Sequence, residues 1–215
     1  MNIIDCTFVS ATDGSFIDWI VVAFAGYLLG AIPFAVIIAR MCGVDIFKAG
    51  SGNPGATNVK RSCGKLAGNT CFILDATKGF VATAFPLFAS AFGINFENPQ
   101  ALAYVGLVSA IVGHSFSVFI KFRGGKGVAV TIGGLFAIMW EAILIGLLLW
   151  VVVFYATRYV SLASIVMALA LPVASAFLYP FPDAHTYISL AIAIVIIVRH
   201  RSNISRLIKG TENRF

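Results

Sequence analysis

Six long apolar runs dominate this 215-residue sequence and restrict what it can fold into. They cover residues 16–39, 66–92, 101–120, 128–155, 160–178 and 187–198. A helix needs about 20 apolar residues to cross the roughly 30 Å hydrocarbon core of a bilayer, and most of the runs have that length. Strands of an outer-membrane barrel would instead alternate apolar and polar residues. The runs therefore predict a helical protein that crosses the membrane several times.

Composition excludes two other classes of protein. The chain is 60% hydrophobic and 11% charged, whereas soluble domains have about 45–50% apolar and about 25% charged residues. A soluble fold of this length cannot bury so much apolar surface, and a disordered chain needs low hydrophobicity. The four cysteines, at positions 6, 42, 63 and 71, lack metal-binding spacing, so we expect free thiols and no metal site.

The basic residues predict the topology. The run at 128–155 is long for one helix and is interrupted by Trp140 and Glu141, so it is read as two helices, which makes seven spans. One side of the membrane then receives the segments 40–65, 121–127, 156–160 and 199–215. These segments hold 14 of the 15 Lys and Arg residues, and the opposite connections hold none. Because Lys and Arg concentrate in cytoplasmic loops, we predict seven transmembrane helices with the N-terminus outside and the C-terminus cytoplasmic.

The first cytoplasmic loop contains GSGNPGATNVKR at residues 50–61. Its glycine spacing formally matches the dinucleotide-binding fingerprint, but a membrane helix precedes it where that fingerprint requires a strand. Small residues still allow the N–H groups of residues 51–55 to point inward and bind an anion. A flexible turn is the alternative, and the polar side chains beside the glycines favour the anion site. The candidate residues here are Ser51, Gly52, Asn53, Gly55, Thr57, Asn58 and Arg61.

The second cytoplasmic loop ends in GGKG at residues 124–127. A Walker A motif would need glycine at position 120 and Ser or Thr at 127, but Ile and Gly stand there, so nucleotide hydrolysis is not supported. A lysine among glycines at a helix start still suits a phosphate, because the ammonium and the helix N-terminus both favour anions. Simple anchoring by positive charge is the alternative. The candidate residues here are Gly124, Gly125, Lys126 and Gly127.

Three further features carry polar groups. The hydroxyl of Ser164 follows the short third connection, where a helix cap or an internal hydrogen bond is the alternative role. A helical tail would place His200 and Asn203 on one face, although a basic tail also binds anionic lipid. Asp75 and Lys78 are charges inside a span that can pair at i, i+3, which leaves open a structural ion pair or a supporting role near the site.

Three segments identify a resemblance. Residues 50–61, GHSF and FRGGKG within 113–127, and RHRSNI and GTE within 199–212 resemble the bacterial acyl-phosphate:glycerol-3-phosphate acyltransferase family, PlsY. The resemblance extends over about residues 26–215 with the motifs in order. It implies one membrane-embedded acyltransferase domain over 1–215, located in the bacterial inner membrane with its active site facing the cytoplasm.

The resemblance also implies a reaction. A fatty acyl group moves from acyl phosphate to the 1-hydroxyl of sn-glycerol 3-phosphate, giving 1-acylglycerol 3-phosphate (lysophosphatidate) and phosphate, the first step of bacterial phospholipid synthesis. The expected partners are these two substrates and membrane lipid. No cofactor and no nucleic acid are expected.

Roles carried over from the family fall on the motif residues. Ser51 and Arg61 become essential residues of the first loop, and Lys126 with its glycines becomes part of the glycerol-phosphate site. His200 and Asn203 become active-site residues. Glu212 becomes a structural support, and Ser164 a hydroxyl that contacts phosphate. The chain departs from the family pattern at Ser117, Val130 and Ser202. Either His200 or the donor's own phosphate can remove the hydroxyl proton, and we favour the phosphate.

Two other functions remain as alternatives. A transporter of an organic phosphate would also need a cationic site, but transporters typically show inverted repeats and helices broken at the midplane. An adaptor that only binds anionic lipid would not need glycine-rich loops. The glycines and cations of this chain lie in loops on one predicted face, which favours an enzyme.

Overall fold

The computed structural model describes residues 13–215, and this part of the chain contains ten α-helices and no β-strand. The helices are α1 (Asp13–Ala31), α2 (Phe34–Met41), α3 (Ala56–Cys63), α4 (Lys65–Phe88), α5 (Pro99–Ser115), α6 (Val128–Ile138), α7 (Trp140–Thr157), α8 (Val160–Leu178), α9 (Ala184–Arg199) and α10 (Arg201–Ile208). Short 3₁₀ turns follow α4 and α5. The all-helical class is therefore confirmed for the described residues.

Five helical stretches are long and apolar enough to cross a membrane, and they make the chain an integral membrane protein. They are Phe16–Met41, Lys65–Phe92, Pro99–Ile120, Trp140–Thr157 and Val160–Leu178. A sixth is added if α9 and α10, bent by 60°, count together. With 11 residues, α6 is only about 16 Å long, about half the hydrocarbon thickness. Seven spans and the orientation of the termini stay predictions, and residues 1–12 of the predicted outer segment lie outside the described residues.

The predicted division of the run at 128–155 into two helices is confirmed, but the break lies at Met139 and not at Trp140 and Glu141, which begin α7. Met139 separates α6 from α7, with φ −145° and ψ 50°, and its side chain is fully buried. Glu141 lies in the first turn of α7, where a carboxylate favours the helix dipole. Its Oε2 accepts a hydrogen bond of 2.7 Å from the Tyr179 hydroxyl, at the other end of the bundle from the glycine-rich loops.

A buried ion pair supports the break between α1 and α2. Pro33 interrupts the helix, and Lys78 on α4 donates a 2.8 Å hydrogen bond to the carbonyl of Ile32. The same ammonium lies 2.8 Å from Asp75 Oδ1, which confirms that the two charges pair. The Ser117 hydroxyl donates to the carbonyl of Ala31 at 2.5 Å. Side chains thus satisfy carbonyls that the broken helix leaves without partners, as a membrane interior requires.

Glycines allow the helices beside the site to pack closely. A Cβ on Gly133 would lie 1.8 Å from the Ala76 carbonyl oxygen, so α6 and α4 touch backbone to backbone. The main core packs Leu107, Leu135, Met167 and Ile196 from α5, α6, α8 and α9. Of the four cysteines, Cys42, Cys63 and Cys71 are free, and Cys6 lies outside the described residues. This packing brings the N-terminal ends of α3, α6, α8 and α10 close together.

Candidate active site

Asn58 organises the first glycine-rich loop. Its side chain is 1% exposed. Its Oδ1 accepts a 3.0 Å hydrogen bond from the Ser51 N–H, and its Nδ2 donates to the carbonyls of Ala49 at 2.9 Å and Ile46 at 3.3 Å. Gly50 has φ +56°, and a Cβ there would lie 2.2 Å from Asn58 Oδ1. The loop is thus folded tightly against α3.

This arrangement corrects the expected anion site at residues 51–55. The N–H of Ser51 donates to Asn58, the N–H of Gly52 to Ala49, and the N–H of Gly55 to Asn53. Pro54 has no N–H to offer. Within residues 13–215 the N–H groups of Asn53, Ala56 and Thr57 have no acceptor and remain open to an anion, because the first N–H groups of a helix lack intrahelical partners.

Arg61 is held by the C-terminal segment of the chain. Its guanidinium donates a 3.2 Å hydrogen bond to the carbonyl of Asn213 and lies 4.6 Å from the centroid of the Phe215 ring. Burial lowers the pKa of Arg61, with Glu212 opposing that change. Arginine stays charged at any physiological pH, so these contacts hold a cation at the cavity wall.

Lys126 extends from the second loop toward α10. Its Nζ lies 2.5 Å from Asn203 Oδ1, and the side chain is largely buried. Burial lowers the pKa of Lys126 to about 8; the cations Arg206 and Arg61 add to the decrease, and Glu212 opposes it. Lys126 is therefore mostly charged at pH 7 and close to its titration range.

Glu212 joins the tail to α8 and α10. Its Oε1 accepts hydrogen bonds from Asn203 Nδ2 at 2.6 Å and from the Ser161 hydroxyl at 2.8 Å, and its Oε2 lies 2.7 Å from Arg206 Nε. Burial alone would raise the pKa of Glu212, but these hydrogen bonds outweigh burial and lower it. The carboxylate is therefore ionised and fully engaged, in agreement with its expected supporting role.

His200 lies at the bend between α9 and α10 and is 3% exposed. Its Nδ1 is 2.8 Å from the carbonyl of Ile196, which only accepts, so Nδ1 carries the proton and Nε2 is an acceptor. Burial and then the nearby Lys126 lower the pKa of His200 to about 4. The imidazole is therefore neutral at pH 7.

These groups surround one cavity of about 340 Å³. It is lined by ten of the predicted site residues, which come from four separate parts of the chain. They are Ser51, Asn53, Gly55, Thr57, Asn58, Arg61, Lys126, Ser164, His200 and Asn203. The membrane helices supply mainly apolar side chains to the same cavity. The apolar residues are Ala56, Phe72, Val128, Ala129, Ile132, Leu147, Trp150, Val151 and Val160.

The four remaining predicted residues, all glycines, lie outside this lining. Gly52 and Gly124 line a second, more open cavity of about 300 Å³, which shares Ser51, Asn53, Lys126 and Asn203 with the first. Gly125 packs against His114, since a Cβ there would lie 2.3 Å from His114 Nε2. Gly127 has φ +82° and precedes α6. These glycines shape the second loop, and the side chains around them line the cavities.

Sequence reasoning missed several lining residues. Ser161 lies one turn before Ser164 on α8 and bonds Glu212. The Trp150 indole donates a 3.2 Å hydrogen bond to the Ser164 hydroxyl. His114 lines the cavity beside Asp75, whose Oδ1 is 3.6 Å from its Nδ1. Two signals were available, the i, i+3 spacing of the two serines and the GHSF segment that contains His114, whereas Trp150 reaches the cavity only through helix packing.

Comparison with known proteins decides the family. The glycerol-3-phosphate acyltransferase family model matches residues 20–210. The chain belongs to the glycerol-3-phosphate acyltransferase family. The family resemblance seen in the three motifs is therefore confirmed.

Individual members of the glycerol-3-phosphate acyltransferase family are similar over almost their whole length. The enzyme named glycerol-3-phosphate acyltransferase from Aquifex aeolicus is 43% identical over 193 residues, which cover 88% of this chain and 95% of the relative. The protein of the same name from Thermotoga petrophila is 38% identical over 198 residues, 91% of this chain and 96% of the relative.

Two crystal structures of PlsY (YgiH), an integral membrane glycerol 3-phosphate acyltransferase, have the same fold. Its glycerol 3-phosphate form matches with a TM-score of 0.82 at 38% identity and covers 92% of this chain and 95% of that one. The lysophosphatidic acid form matches with a TM-score of 0.79 at the same identity and coverage. The helical architecture described above is thus that of a glycerol-3-phosphate acyltransferase.

Proposed function

We propose that this protein transfers a fatty acyl group from acyl phosphate to the 1-hydroxyl of sn-glycerol 3-phosphate. The acyl carbon forms a bond with the hydroxyl oxygen, its bond to the phosphate oxygen breaks, and the hydroxyl proton leaves with the products. The products are 1-acylglycerol 3-phosphate and inorganic phosphate. Family membership supports the acceptor and the reaction type. The observation that carries the proposal is one cavity with two unpaired cations and apolar walls.

Two phosphate groups need two positive charges. Arg61 and Lys126 both line the cavity, and within residues 13–215 neither forms an ion pair with a carboxylate. Glu212, the nearby acid, is engaged by Asn203, Ser161 and Arg206. Both cations are therefore available to substrate anions, with the planar guanidinium suited to bidentate binding of a phosphate.

An acyl chain needs an apolar path from the bilayer. Phe72 on α4 and Val151 on α7 line the cavity and are also 40% and 43% exposed on the outer surface of the bundle. Between them, Ile132 and Leu147 form apolar walls. A lipid-soluble donor can therefore keep its chain among hydrocarbon while its head group reaches the loops, which favours acyl phosphate partitioned in the membrane.

The water-soluble substrate has a separate approach. The more open cavity is lined by Arg123, Arg199 and Arg206, and no carboxylate lines it. A cationic entrance raises the local concentration of an anion such as glycerol 3-phosphate. It shares Lys126 and Asn203 with the inner cavity, so an anion that enters there reaches the reacting groups directly.

The donor phosphate is the better candidate for the base. His200, with a pKa of about 4, is a weak proton acceptor at pH 7, whereas the phosphate oxygens of the donor become more basic as the bond to the acyl carbon breaks and inorganic phosphate forms. Catalysis by proton transfer is most effective when the pKa of the base lies near the working pH. His200 Nε2 then accepts a hydrogen bond from the glycerol hydroxyl and orients it, and Ser51 and the start of α3 hold the anhydride.

We also propose seven spans, a cytoplasmic active site and a place in the bacterial inner membrane. The arrangement that supports this orientation is the grouping of both glycine-rich loops, the α9–α10 bend and the basic tail around one end of the bundle. Basic loops of this kind favour the cytoplasmic side.

One assay tests the reaction. Purified protein is mixed with labelled glycerol 3-phosphate and either palmitoyl phosphate or palmitoyl-coenzyme A, and lysophosphatidate and released phosphate are measured. We expect equal amounts of both products with palmitoyl phosphate and none with the thioester. The K126A variant is the matched inactive control. Product from the thioester alone would reject the acyl-phosphate donor, and no product from either donor would reject the acyltransferase.

A transporter of organic phosphate is the alternative function, and it is not favoured. The chain lies in a family named for acyl transfer over residues 20–210. Uptake of glycerol 3-phosphate into vesicles that contain the protein, without any product, would support the transporter instead.

A further inference from the structure

Arg199 holds the second glycine-rich loop through the backbone carbonyls of that loop and of the end of α5. It is the last residue of α9, and its guanidinium donates to three carbonyls: Gly125 at 2.7 Å, Gly124 at 2.9 Å and Ser115 at 3.3 Å. The guanidinium also lies 5.1 Å from the centroid of the Phe116 ring. Among the described residues no carboxylate pairs with it.

The same two glycines are held from their other side by backbone hydrogen bonds. The N–H of Gly124 donates to Ser115 at 3.1 Å, and the N–H of Gly125 donates to His114 at 3.1 Å. A Cβ on Gly124 would lie 2.0 Å from the carbonyl oxygen of His114, so the loop touches the end of α5 without a gap. Both the N–H and the C=O groups of the pair therefore have fixed partners.

The residue after this pair is Lys126, which reaches back to Asn203. Arg199 and Asn203 are four residues apart, on either side of the α9–α10 bend at His200. One short segment, 199–203, thus contacts the second loop at its backbone and again at its lysine. It also carries the imidazole that faces the cavity.

We propose that Arg199 is a positioning residue that sets the place of Lys126 relative to His200 and Asn203, and thereby the affinity for glycerol 3-phosphate. This inference rests on the proposed function, in which Lys126 binds a substrate phosphate. Arg199 acts through the loop, because its guanidinium is used by carbonyls. All three hydrogen bonds run from Nη2, while the planar face of the guanidinium stacks on the Phe116 ring. The side chain of a lysine ends one bond short of Nη2 and has no planar face to stack on the ring.

The test compares R199K with R201K. Arg201 is exposed, and among residues 13–215 its side chain forms no hydrogen bond or ion pair, so R201K is the matched control for the same substitution two positions away. R199K keeps the charge and removes Nη2 and the planar face of the guanidinium. We expect R199K to raise the KM for glycerol 3-phosphate about tenfold or more, the effect of losing charge-assisted hydrogen bonds, and to change the KM for palmitoyl phosphate less than twofold. R201K should keep both constants.

A second measurement does not depend on activity. Amide hydrogen exchange, followed by mass spectrometry in detergent, should increase in R199K for peptides within 116–127 and stay unchanged in α4 and α8. This result supports the positioning role even if the unmodified protein forms no lysophosphatidate, an outcome that would reject only the proposed function.

Two results overturn the inference. One is R199K with unchanged exchange at 116–127 and an unchanged KM for glycerol 3-phosphate. The other is exchange that increases throughout the bundle together with an equal loss for both substrates, because Arg199 would then support the fold in general.

Discussion

The ammonium of Lys126 lies 2.5 Å from the side-chain oxygen of Asn203, although the two residues are 77 positions apart in the chain. The Nδ2 of the same Asn203 side chain donates a 2.6 Å hydrogen bond to Glu212 Oε1. Asn203 therefore links the cation of the second loop to the carboxylate that fastens the tail. An aspartate in its place would neutralise Lys126, and an alanine would leave the Lys126 ammonium without its partner, while Glu212 would keep Ser161 and Arg206.

Asn203→Ala should reduce kcat/KM for glycerol 3-phosphate by about 30-fold or more. Leaving a buried charged partner unsatisfied costs about 2 kcal/mol, and each 1.4 kcal/mol corresponds to a factor of ten. Steady-state kinetics with palmitoyl phosphate held at saturation measures the change. Ser205→Ala is the control, because Ser205 is exposed on the same helix and lines neither cavity. Equal kinetics for both variants would contradict the role of Asn203.

The pH dependence of kcat/KM should show the titration of Lys126. Its pKa is lowered from 10.5 to about 8, so the ammonium is charged below that pH and loses its proton above it. The value of kcat/KM for glycerol 3-phosphate, which reports the free enzyme, should therefore fall above about pH 8. In Lys126→Arg the fall should disappear, because guanidinium keeps its charge. An identical alkaline decrease in the variant would assign it to another group.

His200→Gln should retain most of kcat and leave the pH profile between 5 and 8 unchanged. The imidazole is neutral throughout this range because its pKa is lowered to about 4. A glutamine can also offer a hydrogen-bond acceptor to the substrate hydroxyl. A loss of more than about a thousandfold in kcat, within the usual range for removal of a general base, would instead make His200 the base.

The helical bundle could be predicted from the sequence because few backbone structures can cross the lipid interior. Only helices satisfy every backbone group within such apolar runs, and Trp140 and Glu141 marked the break in the longest run. The length of α6 was harder to foresee. Apolar residues continue through Met139, and only tertiary packing buries that side chain and ends the helix there.

The sequence predicted which residues line the cavity better than it predicted the role of each residue. Glycines, serine and cations in two loops indicated an anion site, and ten of the predicted residues line one cavity. Most of the expected backbone donors at residues 51–55 are engaged within the protein: Asn58, seven positions after Ser51, takes up the Ser51 amide, and backbone carbonyls take up those of Gly52 and Gly55. A side chain such as Asn58 competes with a ligand for the N–H groups of the loop. The outcome depends on how α3 packs against the loop, and the spacing of residues in the sequence does not show this packing.

Asp75→Asn should destabilise the protein strongly, because Lys78 would keep a buried charge without its carboxylate partner. The two side chains are each 2% exposed and 2.8 Å apart, and breaking a buried ion pair from one side costs about 3–5 kcal/mol. Thermal unfolding in detergent measures the loss. The double variant Asp75→Asn, Lys78→Met should lose less than the sum of the single variants. Strict additivity would show that the two charges do not interact.

Fusions to the C-terminus should report a cytoplasmic tail. The tail at 199–215 carries five of the basic residues, and such residues favour the cytoplasmic side of a membrane. A fluorescent protein that matures only in the cytoplasm should be bright when fused after Phe215, and alkaline phosphatase, which needs an oxidising compartment for its disulfides, should be inactive there. The same pair of reporters, inserted after Pro180 between α8 and α9, should give the reverse result. If both fluorescent fusions are bright, the two positions lie on the same side of the membrane. That result would contradict the proposal that α9 crosses the membrane completely.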